Sequence, residues 1–319
     1  MDVSEGEGRI KIFALANARG AAVRVTNYGA IVLSVRVPDR SGQTANVVLG
    51  YETVEEYARD TRYTGAVVGR CANRIANARF AVEGVTYRVT ANAGSHHLHG
   101  GRKGFDKMEW SPRESRDGAS LVLTYTSPDG EEGYPGTLRT LVTYTLTDQS
   151  ELIVDYRATT DRPTHVNLTQ HSYFNLAGSA GGDVLGHLLQ IHADAVTPVD
   201  DTLIPTGAIA PVAGTDFDFR ALTAIGARRG GRYDVNFVLN RSAPEPVHAA
   251  RLVDSGSGRT LDVHTTEPGL QLYTGYPRGV CLETQHYPNS PNQGNFPSTL
   301  LRPESQYRSR TIFTFGVER

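Results

Sequence analysis

Few side chains move protons at neutral pH, and in this 319-residue chain they gather in short segments. Glu283 sits in Gly279 to Gln285 (GVCLETQ), directly after the apolar Val280, Cys281 and Leu282. A carboxyl so placed is either partly buried, which raises its pKa unless a partner offsets desolvation, or an edge-strand group facing water. His171 lies in Asn167 to Gly178 (NLTQHSYFNLAG), where amides, hydroxyls and aromatic rings crowd together. That stretch reads either as a strand hydrogen-bonded within a core or as sugar-sized polar groups beside an aromatic platform. His96, His97 and His99 share Gly94 to Gly104 (GSHHLHGGRKG). Imidazole clusters ligate metals, hydrogen-bond in polar pockets or sit on surfaces; no HExxH or carboxylate at helical spacing accompanies these. Asp234 falls in Gly230 to Phe237, and Arg70 and Arg74 fall in Gly69 to Ile75 (GRCANRI). Either arginine is a planar donor for hydroxyls or anions, or half of a structural ion pair. Together these groups suit proton shuttling on a polyhydroxylated ligand better than metal-dependent hydrolysis.

The elements that must hold them are strands. Leu121 to Thr126, Leu138 to Leu146 (LRTLVTYTL) and Glu151 to Ala158 (ELIVDYRA) are rich in β-branched and aromatic residues, with turn-forming clusters between them. Arg9 to Ala14, Ala22 to Val37, Ile191 to Ala195 and Arg259 to His264 continue the pattern. Ser127 to Gly136 reads as a loop, and Ser255 to Gly258 as a hairpin turn. Only Thr53 to Arg59 and Arg220 to Arg228 carry helix signals, two turns each. Evenly spaced short strands without interleaved amphipathic helices predict an all-β fold: a large antiparallel β-sandwich over residues 1–319 as one domain.

Composition removes several functions. Lys+Arg 32 against Asp+Glu 34 leaves a net charge of -2, without the basic footprint of a nucleic-acid binder. No apolar run is long enough to cross a bilayer, and the acidic N-terminus lacks a leader pattern, so the cytoplasm is expected. Phosphate-loop, dinucleotide-fold and GxSxG motifs are missing. Cys71 and Cys281 read as buried thiols rather than a disulfide framework.

At these same segments the chain resembles the aldose 1-epimerase (galactose mutarotase) family. The matching stretches run in order: GRCANRI, LHGGRKGFDKMEW (Leu98 to Trp110), Asn167 to Gly178, Thr197 to Arg220, Tyr233 to Leu239, and Gly279 to Pro303 with its LETQ, FPS and LRP elements. They span about Ile10 to Phe315. The resemblance implies a mutarotase-type β-sandwich with an open sugar cleft. It also implies interconversion of the α and β anomers of free aldoses, glucose and galactose, without cofactor or metal, by a monomer or homodimer. It matches Glu283 to the general base and His171 to the general acid, as carboxylate and imidazolium. His99, Asn73, Arg74, Tyr173, Asp234 and Gln271 match substrate-binding positions.

Four departures from the family pattern touch sugar preference and loop geometry rather than the acid–base pair. Gln170 replaces an Asn and keeps its amide, and Val235 replaces a His, removing a polar group near the cleft. Tyr276 stands for an Asn and Ser305 for a Gly. Three rival functions have distinct requirements. A hexose-6-phosphate mutarotase needs a phosphate site from Arg70, Arg74 or Arg102, since only three lysines are present. A non-catalytic sugar-binding module need not keep both Glu283 and His171. A glycoside hydrolase needs two carboxylates flanking the scissile bond.

Overall fold

The computed structural model describes residues 9–114, 119–241 and 244–318; the acidic N-terminal residues 1–8 lie outside them. Strand Leu138–Leu146 shows how the sequence dictates the fold: Leu138, Thr140, Val142, Tyr144 and Leu146 are buried, and the residues between turn outward. That period of two recurs in Glu151–Thr160. Each strand therefore needs a second layer over one face.

The layers are antiparallel sheets. A nine-stranded sheet runs, in spatial order, through Ser111–Glu114, Ser120–Ser127, Leu138–Leu146, Glu151–Thr160, Tyr307–Val317, Arg259–Thr265, Val247–Val253, Leu188–Ile191 and Thr223–Ala224. A six-stranded sheet orders Tyr173–Phe174, Val280–Gln285, Gly269–Tyr273, Asp234–Leu239, Ala193–Thr197 and Ala210–Pro211. Residues 12–46 add four more strands. One hydrophobic cluster joins all three sheets, with Val25, Leu123, Val142, Phe313, Phe237, Leu272 and Leu282 among its members. Phe174 meets Phe313 at 5.3 Å between ring centres, and the Thr284 and Thr311 hydroxyls are 2.6 Å apart.

Three expectations change. Ile191 to Ala195 is not one strand: Leu188–Ile191 ends in the nine-stranded sheet and Ala193–Thr197 begins in the six-stranded one. Ala22 to Val37 is not one strand but Ala22–Thr26 and Val32–Pro38, folded back at Gly29, whose φ is +63°. Arg220 to Arg228 forms no two-turn helix. Thr223–Ala224 adds to the edge of the large sheet, and a single 3-10 turn, Ile225–Ala227, follows. Only Ile225 is buried there, so the segment has no apolar stripe to dock a helix. Val54–Arg59 is helical as expected, capped by Thr53 and Glu56 acting reciprocally.

Candidate active site

Strand alternation sorts the six-stranded sheet into a greasy face and a polar one. Val235, Phe237, Leu239, Leu270, Leu272, Val280 and Leu282 enter the core cluster. The opposite face carries Asp234, Asn236, Gln271, Tyr273, Cys281, Glu283 and Gln285. Register fixes their neighbours: Gln271 lies across from Glu283 on one side and Asn236 on the other, and Tyr273 lies between Asp234 and Cys281. Glu283 is paired to Gln271 on one side and its side chain is buried, so the alternative of an edge carboxylate facing water does not hold.

Loops bring the remaining groups over this face. Arg74–Ile75 pairs with His97–Leu98. Asn73 and His99, beside that pair, both adopt left-handed backbone, φ +58° and +50°. Such conformations cost of order 1 kcal/mol each and persist only where surrounding structure enforces them. The enforcing contact is reciprocal: the His99 amide donates to the Asn73 carbonyl at 3.0 Å, and the Asn73 amide donates to His99 Nδ1 at 3.1 Å. His171 is held between Thr169–Gln170 and Tyr173–Phe174 by two backbone bonds: its amide to the Ala66 carbonyl and the Gly65 amide to its carbonyl. Gln170 reinforces this joint, donating to the Gly65 carbonyl at 2.6 Å and accepting from the Ser172 amide. The extra methylene has kept the amide role.

A cavity of about 140 Å³ is lined by Asn73, Arg74, His99, His171, Tyr173, Asp234 and Glu283, and Thr61, Arg62, Tyr63, Leu98 and Tyr273 complete its walls. Gln271 lies behind it and donates to Asp234 Oδ1 at 2.5 Å, while Arg74 faces Asp234 Oδ2 at 3.6 Å. All eight sequence-predicted residues therefore converge. At the floor, His171 Nε2 stands 3.7 Å from Glu283 Oε1, both side chains buried. Glu283 Oε2 and Gln271 Oε1 are buried without a hydrogen-bond partner among the described residues.

Burial sets the charges here. Desolvation raises Glu283 to about 8; nearby Asp234 adds to the shift and Arg74 opposes it. Desolvation likewise lowers His171 to about 4. His99 falls well below the ordinary histidine value, through burial first and then His171 and Arg74. Burial of both groups thus favours a proton on Glu283 over one on His171.

The donor set can be tested as a metal site. One ligand atom each from His99, His171 and Glu283 lies within 4.8 Å of the others. The Asn73 amide, however, occupies the His99 Nδ1 lone pair, which leaves the proton on Nε2. Toward the cleft His99 is a donor, and two lone-pair ligands remain, fewer than the three or four of protein zinc sites. Arg70 is also excluded from ligand binding. It is buried, and its guanidinium donates to Ser127 Oγ and to the carbonyls of Ser127, Pro128, Pro135 and Gly136. Val235 joins the core cluster and is absent from this cavity's lining, but it lines the adjoining larger cavity together with Asp234 and Tyr273. Tyr276 receives the Arg62 guanidinium 4.5 Å from its ring centre. Both cysteines are free and buried. The sequence reading omitted Tyr63, which only the tertiary fold brings in. Tyr273 also lines the cavity and follows from the period of two counted from Gln271.

Residues 11–314 match the family model described as Aldose 1-epimerase. The chain is 45% identical to galactose mutarotase of Sus scrofa, over 99% of this chain and 97% of the relative. It is 36% identical to aldose 1-epimerase of Escherichia coli (strain K12), over 97% and 96%. The aldose epimerase homologue from C. elegans superposes with a TM-score of 0.91 at 30% identity, over 97% of this chain and 99% of that one.

Proposed function

The chain belongs to the aldose 1-epimerase family, and we propose that Glu283 and His171 are the acid–base pair with which it works. As a member of that family it is an isomerase that interconverts the α and β anomers of aldoses. Ring opening requires the C1 hydroxyl to lose its proton while the ring oxygen O5 gains one and C1–O5 breaks. Rotation about C1–C2 turns the carbonyl, and closure on its other face reverses both transfers. The cycle consumes no proton. It needs two groups that hold one proton between them and sit close enough to serve O1 and O5 together.

The observation that carries the reading is the 3.7 Å approach of His171 Nε2 to Glu283 Oε1 on the floor of a polar cleft. With pKa values near 4 and 8, the pair holds one proton across the intervening range. Sugar hydroxyls donating to the unpaired Glu283 Oε2 stabilise its carboxylate and drive that proton to His171. Glu283 then acts as general base on O1–H and His171 as general acid at O5, each contributing on the order of 10²–10⁴-fold. Asp234, Gln271, Asn73, Arg74 and Tyr173 bind the sugar hydroxyls, and His99 donates from Nε2.

The substrate is a free aldohexose, with galactose first because relatives carry that name. A 6-phosphate is disfavoured. Arg70 is spent on protein oxygens, Arg74 faces Asp234, Arg62 donates to the Tyr51 hydroxyl and faces Asp60, and Arg102 is exposed and outside the cavity lining. Two free thiols suit a reducing compartment, and the cytoplasm is the proposed location. Polarimetry on freshly dissolved α-D-galactose and on galactose 6-phosphate tests the reading. Strong acceleration of the free sugar alone is expected; no acceleration above the spontaneous rate, or a preference for the phosphate, contradicts it.

A further inference from the structure

Two histidines face the same cavity, and their far nitrogens are anchored in opposite senses. His99 Nδ1 accepts from a backbone amide, so its cleft-facing Nε2 keeps a proton at all times. His171 Nδ1 lies 3.6 Å from Cys281 Sγ. A thiol can donate or accept, so that contact alone leaves the tautomer open.

The surroundings of the sulfur and the proton count of the pair close the question. Tyr173, the register partner of Cys281, donates its hydroxyl proton to the Arg62 carbonyl at 2.9 Å. That proton is therefore not spent on the sulfur, whose lone pairs are left for His171. We infer that Cys281 is the positioning residue of His171, its sulfur accepting from Nδ1–H so that Nε2, facing Glu283, is the nitrogen that gains and loses the working proton.

Proton balance requires this direction. Were the thiol to donate to Nδ1, neutral His171 would carry its proton on Nε2. It could then give that proton up only by becoming an imidazolate, and it could not accept another there. With Nδ1–H fixed on sulfur, Nε2 alternates between lone pair and N–H while nothing else moves. Sulfur is also a weak acceptor, so it orients the ring without stabilising the imidazolium as a carboxylate would. The difference between the histidines follows: His99 is a permanent donor, and His171 exchanges.

This inference rests on reading His171 as the proton-exchanging group. Its test is ¹⁵N NMR of the wild-type protein near pH 6 together with C281A and C281S kinetics. Wild type is expected to show a protonated Nδ1 and a pyridine-type Nε2 for His171. C281A is expected to stay folded, lose about 10- to 100-fold in kcat with KM within about threefold, and show mixed His171 tautomers. C281S, whose hydroxyl can accept from Nδ1–H in place of the sulfur, is expected to recover most of the rate and the wild-type tautomer. A wild-type Nε2–H tautomer, or a C281A enzyme with unaltered kcat and tautomer, overturns the inference. If H171N retains the wild-type rate, the acid–base reading fails instead, so the two failures are distinguishable.

Discussion

Glu283 is stabilising and useful in different protonation states. Its carboxyl is raised from 4.5 to about 8 by burial. Because the folded pKa lies above the unfolded one, its contribution to stability is complete below about pH 4.5 and is lost as pH rises through about 8. E283Q is therefore predicted to be more stable than wild type, by an amount that grows between pH 5 and 8 to on the order of 2 kcal/mol. Thermal melts of both proteins across that range check this; a difference independent of pH contradicts it. His171 has the opposite sign, its contribution present above about pH 6.5 and lost as pH falls toward 4. In kinetics the same two values bound the one-proton state. A kcat/KM profile flat between about pH 4 and pH 8, falling on both sides, is expected for wild type, with limbs that belong to the pair rather than to either residue.

At the scale of elements, the site joins one rigid sheet face to two loops locked against it. Gly100 is where the locking is tightest. Its φ is +89°, and a Cβ there would stand 1.8 Å from the Gly69 carbonyl oxygen. Gly100→Ala should cost at least ~2 kcal/mol in urea unfolding and weaken sugar binding through the displaced neighbour His99. An alanine variant with wild-type stability and KM would show that the loop has slack. The sequence made the strands legible where β-branched residues alternate, as in Leu138–Leu146, because burial on one face writes itself into every second residue. It failed at Arg220 to Arg228, where helix-compatible residues were captured by a sheet edge. That pairing belongs to tertiary structure and leaves no local trace. Within the site, His171 was legible from its crowded polar segment and Glu283 from its place after an apolar run, while their roles came from the family resemblance. The thiol behind His171 was legible as a buried one, but its partner was not, since the contact spans 110 residues.

On the scale of the whole molecule, Arg70 connects the loops of the cleft to the large sheet. It follows Gly69, whose carbonyl meets the Gly100 region, and reaches across to Ser127 at the end of a strand of the nine-stranded sheet. Removing it leaves several buried oxygens unpaired, so Arg70→Met is predicted to lose about 3–5 kcal/mol of stability in urea titration although the residue touches no substrate. A loss under 1 kcal/mol would mean that water replaces the guanidinium. Net charge, -2 for the full chain, offers no field to gather ions, in keeping with an uncharged sugar recognised by amides, rings and hydroxyls. The account stands or falls on the pair at the floor of the cleft. Polarimetry of α-D-galactose with wild type, E283Q and H171N at neutral pH, each shown to be folded by circular dichroism, addresses it most directly. Rates at least about 100-fold below wild type are expected for both variants. A wild-type rate in either one contradicts the mechanism.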